Sequence, residues 1–158
     1  MEATIQDIFE NLLMALGVGY NHTEVSITKD IDGNDCYYCN VAAKDSSQLI
    51  GRRGRTLQAL QHILKLIVYK RLDKQISLMV DVDGYRRRQE GSVIEIANRY
   101  IDKARQTGEN QALPAMSPYF RRLVHLHLMR EEYNDLSTTS EGFGNYRHIV
   151  ILNQPKHA

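Results

Sequence analysis

The residues best equipped for chemistry lie in one short stretch, Gly51-Arg52-Arg53-Gly54-Arg55, preceded by Leu49-Ile50 and followed by a helical pattern. Glycine lets a backbone turn tightly and lets another backbone come close, because no Cβ intervenes. A helix beginning just beyond would aim unpaired N–H groups and the positive end of its dipole at whatever lies in front. Arginine adds permanently charged donors that match phosphate oxygens. A sugar–phosphate backbone is the ligand this combination fits, with Arg52, Arg53 and Arg55 on phosphates and a groove beside Ile50 for bases.

Charge segregation supports the same reading. Residues 1–50 carry two Lys/Arg against eight Asp/Glu, whereas residues 51–72 carry six Lys/Arg and no acid. The chain's net charge of +1 hides this block. An acid-free cationic segment centred on a glycine turn is an electrostatic footprint for a polyanion, whereas a merely solvated helix face usually mixes signs.

Other chemistry is poorly provided for. Cys36 and Cys39 have the spacing of a metal or redox pair, but on a strand residues three apart face opposite sides. No second pair completes a zinc site, so no metal and no cofactor is expected. The Gly51 turn lacks the spacing and the lysine of a P-loop. His125 and His127 stand two apart on a predicted helix, roughly 200° around from each other, so they do not converge for a nuclease. Binding, and not catalysis, is the expectation.

These residues need elements to hold them. Ile5, Ile8, Phe9, Leu12, Leu13 and Leu16 predict an amphipathic helix over 2–17, closed by Gly17 and Gly19. Residues 23–29 and 36–43 alternate like strands around the turn Asp32-Gly33-Asn34 and read as a hairpin. Asp45 caps a short helical turn over 45–50, with Gln48 in the capping-box position. Residues 56–70 form a helix with Leu57, Leu60, Leu64 and Ile67 inward, and 75–82 a third strand. Beyond Asp83-Gly84 a helix runs over 85–106, with Arg86-Arg87-Arg88 in its first turn. The dipole disfavours cations there, so phosphate contact or plain solvation must account for them. A short strand over 111–115 follows. Ser117-Pro118 then opens a helix to about residue 130, on which Arg121 and His125 share a face with Arg122 alongside.

Helix, strand, strand, short helix, glycine turn, helix, strand is the order of a type II KH domain, and Ile50-Gly51-Arg52-Arg53-Gly54 resembles its I-G-x-x-G signature. That resemblance implies a groove for about four single-stranded nucleotides, clamped by the loop. Met116 to His125 resembles the core of the R-3-H domain, named for its Arg-xxx-His motif and associated with single-stranded nucleic acid. Its usual continuation, a Ser-Glu-Gly turn, Tyr-Arg and a final apolar strand, is matched by Ser140 to Leu152, which brings Arg147 into the site. Phe120 and Phe143-Gly144-Asn145 depart from the more acidic residues common there. Tyr119 and Tyr146 offer rings that either stack a base or pack.

The two together resemble the Jag (SpoIIIJ-associated, KhpB/EloR) family of bacterial proteins. The fold class implied is α+β, a type II KH domain over 1–83 followed by a small α/β R-3-H domain over 84–154. The resemblance implies an RNA-level role in cell elongation and division. It also implies single-stranded RNA, or single-stranded DNA of like chemistry, as partner, together with a small single-KH protein. Pairing with that protein, with RNA secondary, is the alternative. Family members usually carry a further N-terminal domain on a linker, so the sequence is expected to be a short form or a fragment.

At 158 residues, 42% apolar and 25% charged, the composition is that of a soluble globular protein. No apolar run approaches the roughly 20 residues that span a bilayer, so membrane insertion is not expected. The first residues lack signal-peptide order, which favours a cytoplasmic address.

Overall fold

The computed structural model describes residues 1–154. The chain divides into two compact units, one ending at Arg86 and the other beginning at Arg87.

In the first unit α1 (Glu2–Ala15), β1 (Tyr20–Lys29), β2 (Asp35–Ala43), α2 (Ser46–Ile50), α3 (Arg55–Leu72) and β3 (Leu78–Val82) follow in order. The sheet runs β1-β2-β3. β1 and β2 form the expected antiparallel hairpin, while β3 returns parallel to β2, because a helical crossover separates them. One face of the sheet packs on the helices through Ile5, Phe9, Leu13, Leu57, Leu60, Leu64 and Val68, against Cys39, Val41, Val80 and Val82. Val68 is fully buried where Ile67 was expected, and Ile67 is only partly covered. Cys36 pairs across from Thr28 and Cys39 from Val25, so the two thiols occupy opposite faces of the sheet. Both are buried and unbonded, and burial pushes the Cys39 thiol up to about 12.

The strand expected over 75–82 begins only at Leu78. Its outer edge is closed by side chains. Gln61 Oε1 accepts from Val80 N–H at 3.0 Å and from Arg86 Nη2 at 3.0 Å, and Arg86 Nε donates to the Val80 carbonyl at 2.7 Å. The first of the three arginines is therefore not a freely solvated cation; it satisfies the edge of β3. Buried Asp81 accepts from Tyr38 Oη at 2.8 Å and from Arg86 N–H at 2.9 Å, which fastens the start of α4 (Tyr85–Thr107) to the first unit.

In the second unit α4 continues into β4 (Gln111–Ala112), α5 (Pro118–Leu128), β5 (Ser137–Glu141) and β6 (His148–Leu152). Sheet order is β4-β6-β5, antiparallel throughout. Val93, Ala97, Ile101, Ala104, Val124, Leu128, Leu136, Ile149 and Ile151 make its core. Arg105 forms a two-pronged pair with Asp135, Nε and Nη2 each at 2.7 Å. Its guanidinium carbon lies 5.4 Å from the centre of the Tyr133 ring. Among the described residues no helix is long and apolar enough to cross a membrane.

Candidate nucleic-acid interface

The glycine turn is built as a rigid, cation-bearing elbow. Asp45 caps α2 by accepting from Ser47 N–H at 3.1 Å, and Ser46 Oγ donates to Asp83 at the end of β3. Gly51 then turns with φ +69° and ψ −176°, a conformation essentially closed to side-chain-bearing residues. A Cβ there would lie 2.0 Å from Thr56 Oγ1. Arg52–Gly54 make one tight turn, with Gly54 N–H donating to the Gly51 carbonyl at 3.3 Å.

Arg53 is held left-handed, at φ 54° and ψ 31°, and Gly54 follows at φ +73°. Buried Gly54 is the residue before α3, and a Cβ there would touch the Tyr85 ring at 3.5 Å. Tyr85 thus packs under Gly54, and Asp83, also from beyond β3, holds Ser46 at the start of α2. Arg52, Arg53 and Arg55 all remain exposed, while Ile50 and Gly51 are half-buried beside them. A non-glycine residue in left-handed backbone costs about 1–2 kcal/mol. Such strain gathers where function positions a side chain, and here it presents Arg53 to solvent.

The second set of predicted residues converges in the second unit. Arg121 Nη1 donates to the Met116 carbonyl at 2.8 Å, and the Met116 N–H donates to the Arg147 carbonyl at 3.2 Å. One turn along α5, His125 Nδ1 meets Thr138 Oγ1 at 2.6 Å. Arg147 Nε donates to Ser140 Oγ at 2.9 Å.

Thr138 and Ser140 are alternate residues of β5, opposite buried Ile151 and Ile149, so they share a face. A single strand edge therefore organises His125 and Arg147, and Met116 joins Arg121 to them. Arg122 is exposed about 100° further round α5. Beside the cluster an open cleft of about 230 Å³ is lined by His125, Leu128, Met129, Ser137 and Thr138. His127 takes a separate partner, its Nε2 2.8 Å from Asn98 Oδ1.

Sequence reasoning missed Thr138 and Ser140. Ser137-Thr138-Thr139-Ser140 has no apolar residue to mark it as a strand. It noted Phe143 only as a departure from a more acidic turn and gave it no role, yet with Tyr146 it is the most exposed large apolar side chain described, at 90% and 82%. Tyr119 has a specific place: its hydroxyl donates to Glu90 at 2.5 Å, and its ring meets Phe120 edge-on. The chain's two candidate stacking tyrosines thus divide, Tyr119 packed and Tyr146 presented. Among the described residues no group of three or more His, Cys, Asp or Glu is arranged to hold a metal ion.

Comparison with known proteins falls on the same two units. The KhpA/KhpB KH-domain family model matches residues 6–81 and the R-3-H domain model residues 91–153. RNA-binding protein KhpB of Clostridium symbiosum is 30% identical over 149 residues, 93% of this chain and 62% of that protein. RNA-binding protein KhpB of Lactiplantibacillus plantarum is 28% identical over 131 residues, covering 81% and 40%. The Bacillus subtilis protein of the same name is 27% identical over 112 residues, covering 71% and 54%. The chain thus spans between two fifths and about three fifths of the length of these relatives.

Proposed function

The chain belongs to the KhpB (Jag, EloR) family of KH–R-3-H proteins, and from that premise we propose that it binds single-stranded RNA through the Gly51–Gly54 loop, with Arg121, His125 and Arg147 forming a second anion site. The observation that carries this reading is the loop itself. Three arginines stand exposed on a backbone whose conformation needs glycine at Gly51 and places Arg53 under strain. A loop serving only as a connection has no use for that arrangement, whereas a phosphate clamp needs it. The relatives are named as RNA-binding proteins, which supports RNA over DNA as the polyanion. Within the family reading, the chain acts on RNA in the cytoplasm, in control of cell elongation and division.

Binding of a short single-stranded RNA measured against salt tests the assignment. Each phosphate contact contributes a slope of roughly 0.7 in log affinity against log salt on a single strand. Replacing Arg52 and Arg53 by Ala is expected to flatten the slope by about 1.4. Unchanged slope and affinity would remove the loop from the site. No catalysis is assigned, since His125 and His127 engage different partners, Thr138 and Asn98.

A second activity is supported by α3. Ile63 and Leu66 lie on its outer face and are 41% and 55% exposed, with Tyr69 nearby at 49%. Ala59, Ile63, Leu66 and Lys70 follow one another at helical spacing. This strip suits a small KH protein of the kind that shares the family model. Leu66→Asp, placed away from the glycine loop, is expected to abolish co-elution with such a partner and leave RNA binding unchanged.

A further inference from the structure

The turn joining β5 and β6 carries the two most exposed large apolar side chains among the described residues. β5 ends at Glu141 and β6 begins at His148. Between them Gly142 takes φ +86° and Gly144 φ +55°. Tyr146 N–H donates to the Phe143 carbonyl at 3.1 Å, and Arg147 N–H to the Gly144 carbonyl at 3.3 Å. Phe143 and Tyr146 are thus the first and last residues of a hydrogen-bonded four-residue turn, which holds their Cα atoms within roughly 7 Å. A Cβ on Gly142 would come within 3.0 Å of the Tyr146 carbonyl oxygen, so the turn is folded tightly on itself. The two rings stand on this tight turn and are exposed.

A single exposed apolar side chain needs no explanation. Two aromatics on one rigid turn, next to a guanidinium, form a recognisable combination. Arg147 spends one of its donors on Ser140, and Ser140 lies two residues from the Thr138 that holds His125. Glu141 is set opposite His148, on the other face of the strand pair from Ser140 and Ile149, so no acid of β5 intrudes on the Arg147 side.

We propose that Phe143 and Tyr146 form a platform on which an unpaired nucleobase stacks while Arg147 and His125 take the adjoining phosphate. This rests on the RNA-binding reading and adds a base contact to its second site. Aromatic rings accept every base, because each has a π-face, and the contact is independent of sequence. The flanking Arg147 guanidinium favours a polyanion over a neutral apolar partner.

The test uses the full chain and two single-stranded oligonucleotides of equal length, one of uridines and one of abasic sugar–phosphate. Phe143→Ala is expected to weaken uridine binding about tenfold, the loss of one stacked base. It should leave the salt slope unchanged, since no phosphate contact is removed, and leave abasic binding unaffected. The chain contains no tryptophan, so Phe143→Trp supplies a single reporter whose emission the uridine oligonucleotide should quench at wild-type affinity. If wild-type protein binds the uridine oligonucleotide but Phe143→Ala matches it, the platform is overturned and the RNA reading stands. If wild-type protein binds neither oligonucleotide, both fail. If the indole emission shifts to the blue with anionic phosphatidylglycerol vesicles and is not quenched by RNA, the turn belongs to a membrane surface and the platform is again overturned.

Discussion

A Cβ placed on Gly51 would stand 2.0 Å from the hydroxyl oxygen of Thr56 and 3.1 Å from its backbone nitrogen. Thr56 is the second residue of α3, so the helix start closes directly over the first glycine of the loop. The second glycine is under a different constraint: its Cβ would reach the Tyr85 ring at an ordinary 3.5 Å. The two glycines of one motif are therefore unequal. Gly51→Ala combines a forbidden backbone region with a clash and is expected to cost roughly 3 kcal/mol. Gly54→Ala meets only left-handed strain, about 1 kcal/mol. Urea unfolding of the two variants checks this, and equal losses would mean that Thr56 can move aside.

Arg53 gives the opposite expectation. Its left-handed backbone is costly for any residue with a Cβ. Arg53→Gly relieves that strain and gives back part of the gain through a more flexible unfolded chain. Stability is expected to stay level or rise by up to about 1 kcal/mol, while the salt slope of RNA binding falls by about 0.7. A clear loss of stability would show that the Arg53 side chain holds the fold together.

How much of this was legible in the sequence depends on the range of the contacts. The order of elements in the first unit follows from local periodicity, and the glycine turn from its own residue types. The inequality of Gly51 and Gly54 does not, because it is decided by Thr56 and by Tyr85, which is 31 positions after Gly54 in sequence. Arg86 reads as one of three surplus cations until β3 is seen to need a donor and an acceptor at its edge. β5 is the plainest omission. An edge strand of Ser and Thr has no hydrophobic alternation, yet its hydroxyls orient His125 and Arg147.

His127 should make the second unit acid-sensitive. Desolvation, followed by the charge of Arg130, holds its imidazole below the ordinary value, with Glu132 opposing. The folded state therefore prefers the neutral ring, and the unfolded chain binds the proton more readily. This contribution is complete above about pH 6.5, the ordinary histidine value, and is lost as pH falls through the depressed one. His127→Gln, which keeps a donor for Asn98 Oδ1, is expected to show a smaller loss of stability between pH 7.5 and 5.5 than wild type. Parallel pH curves for the two proteins would exonerate His127.

Arg121 has one structural contact and one proposed role, and a pair of substitutions separates them. Its guanidinium donates to the Met116 carbonyl, whose own N–H is bound to the Arg147 carbonyl, so Arg121→Ala removes a charge and also loosens the segment leading into Arg147. Loss of a hydrogen bond to a charged donor is worth about 1.5–3 kcal/mol at a buried site and less at this half-buried one, so a drop of about 1 kcal/mol in the unit's stability is expected. If the residue also meets phosphate, RNA affinity should fall more for oligonucleotides long enough to reach both the glycine loop and the second site than for four-nucleotide ones. Arg121→Lys keeps the charge but cannot reproduce the planar fork of donors, and it should recover the salt slope without recovering full stability. Equal losses at both lengths, with the slope untouched in both variants, would leave Arg121 as a strut for Met116 and transfer the anion site to Arg147 and His125 alone.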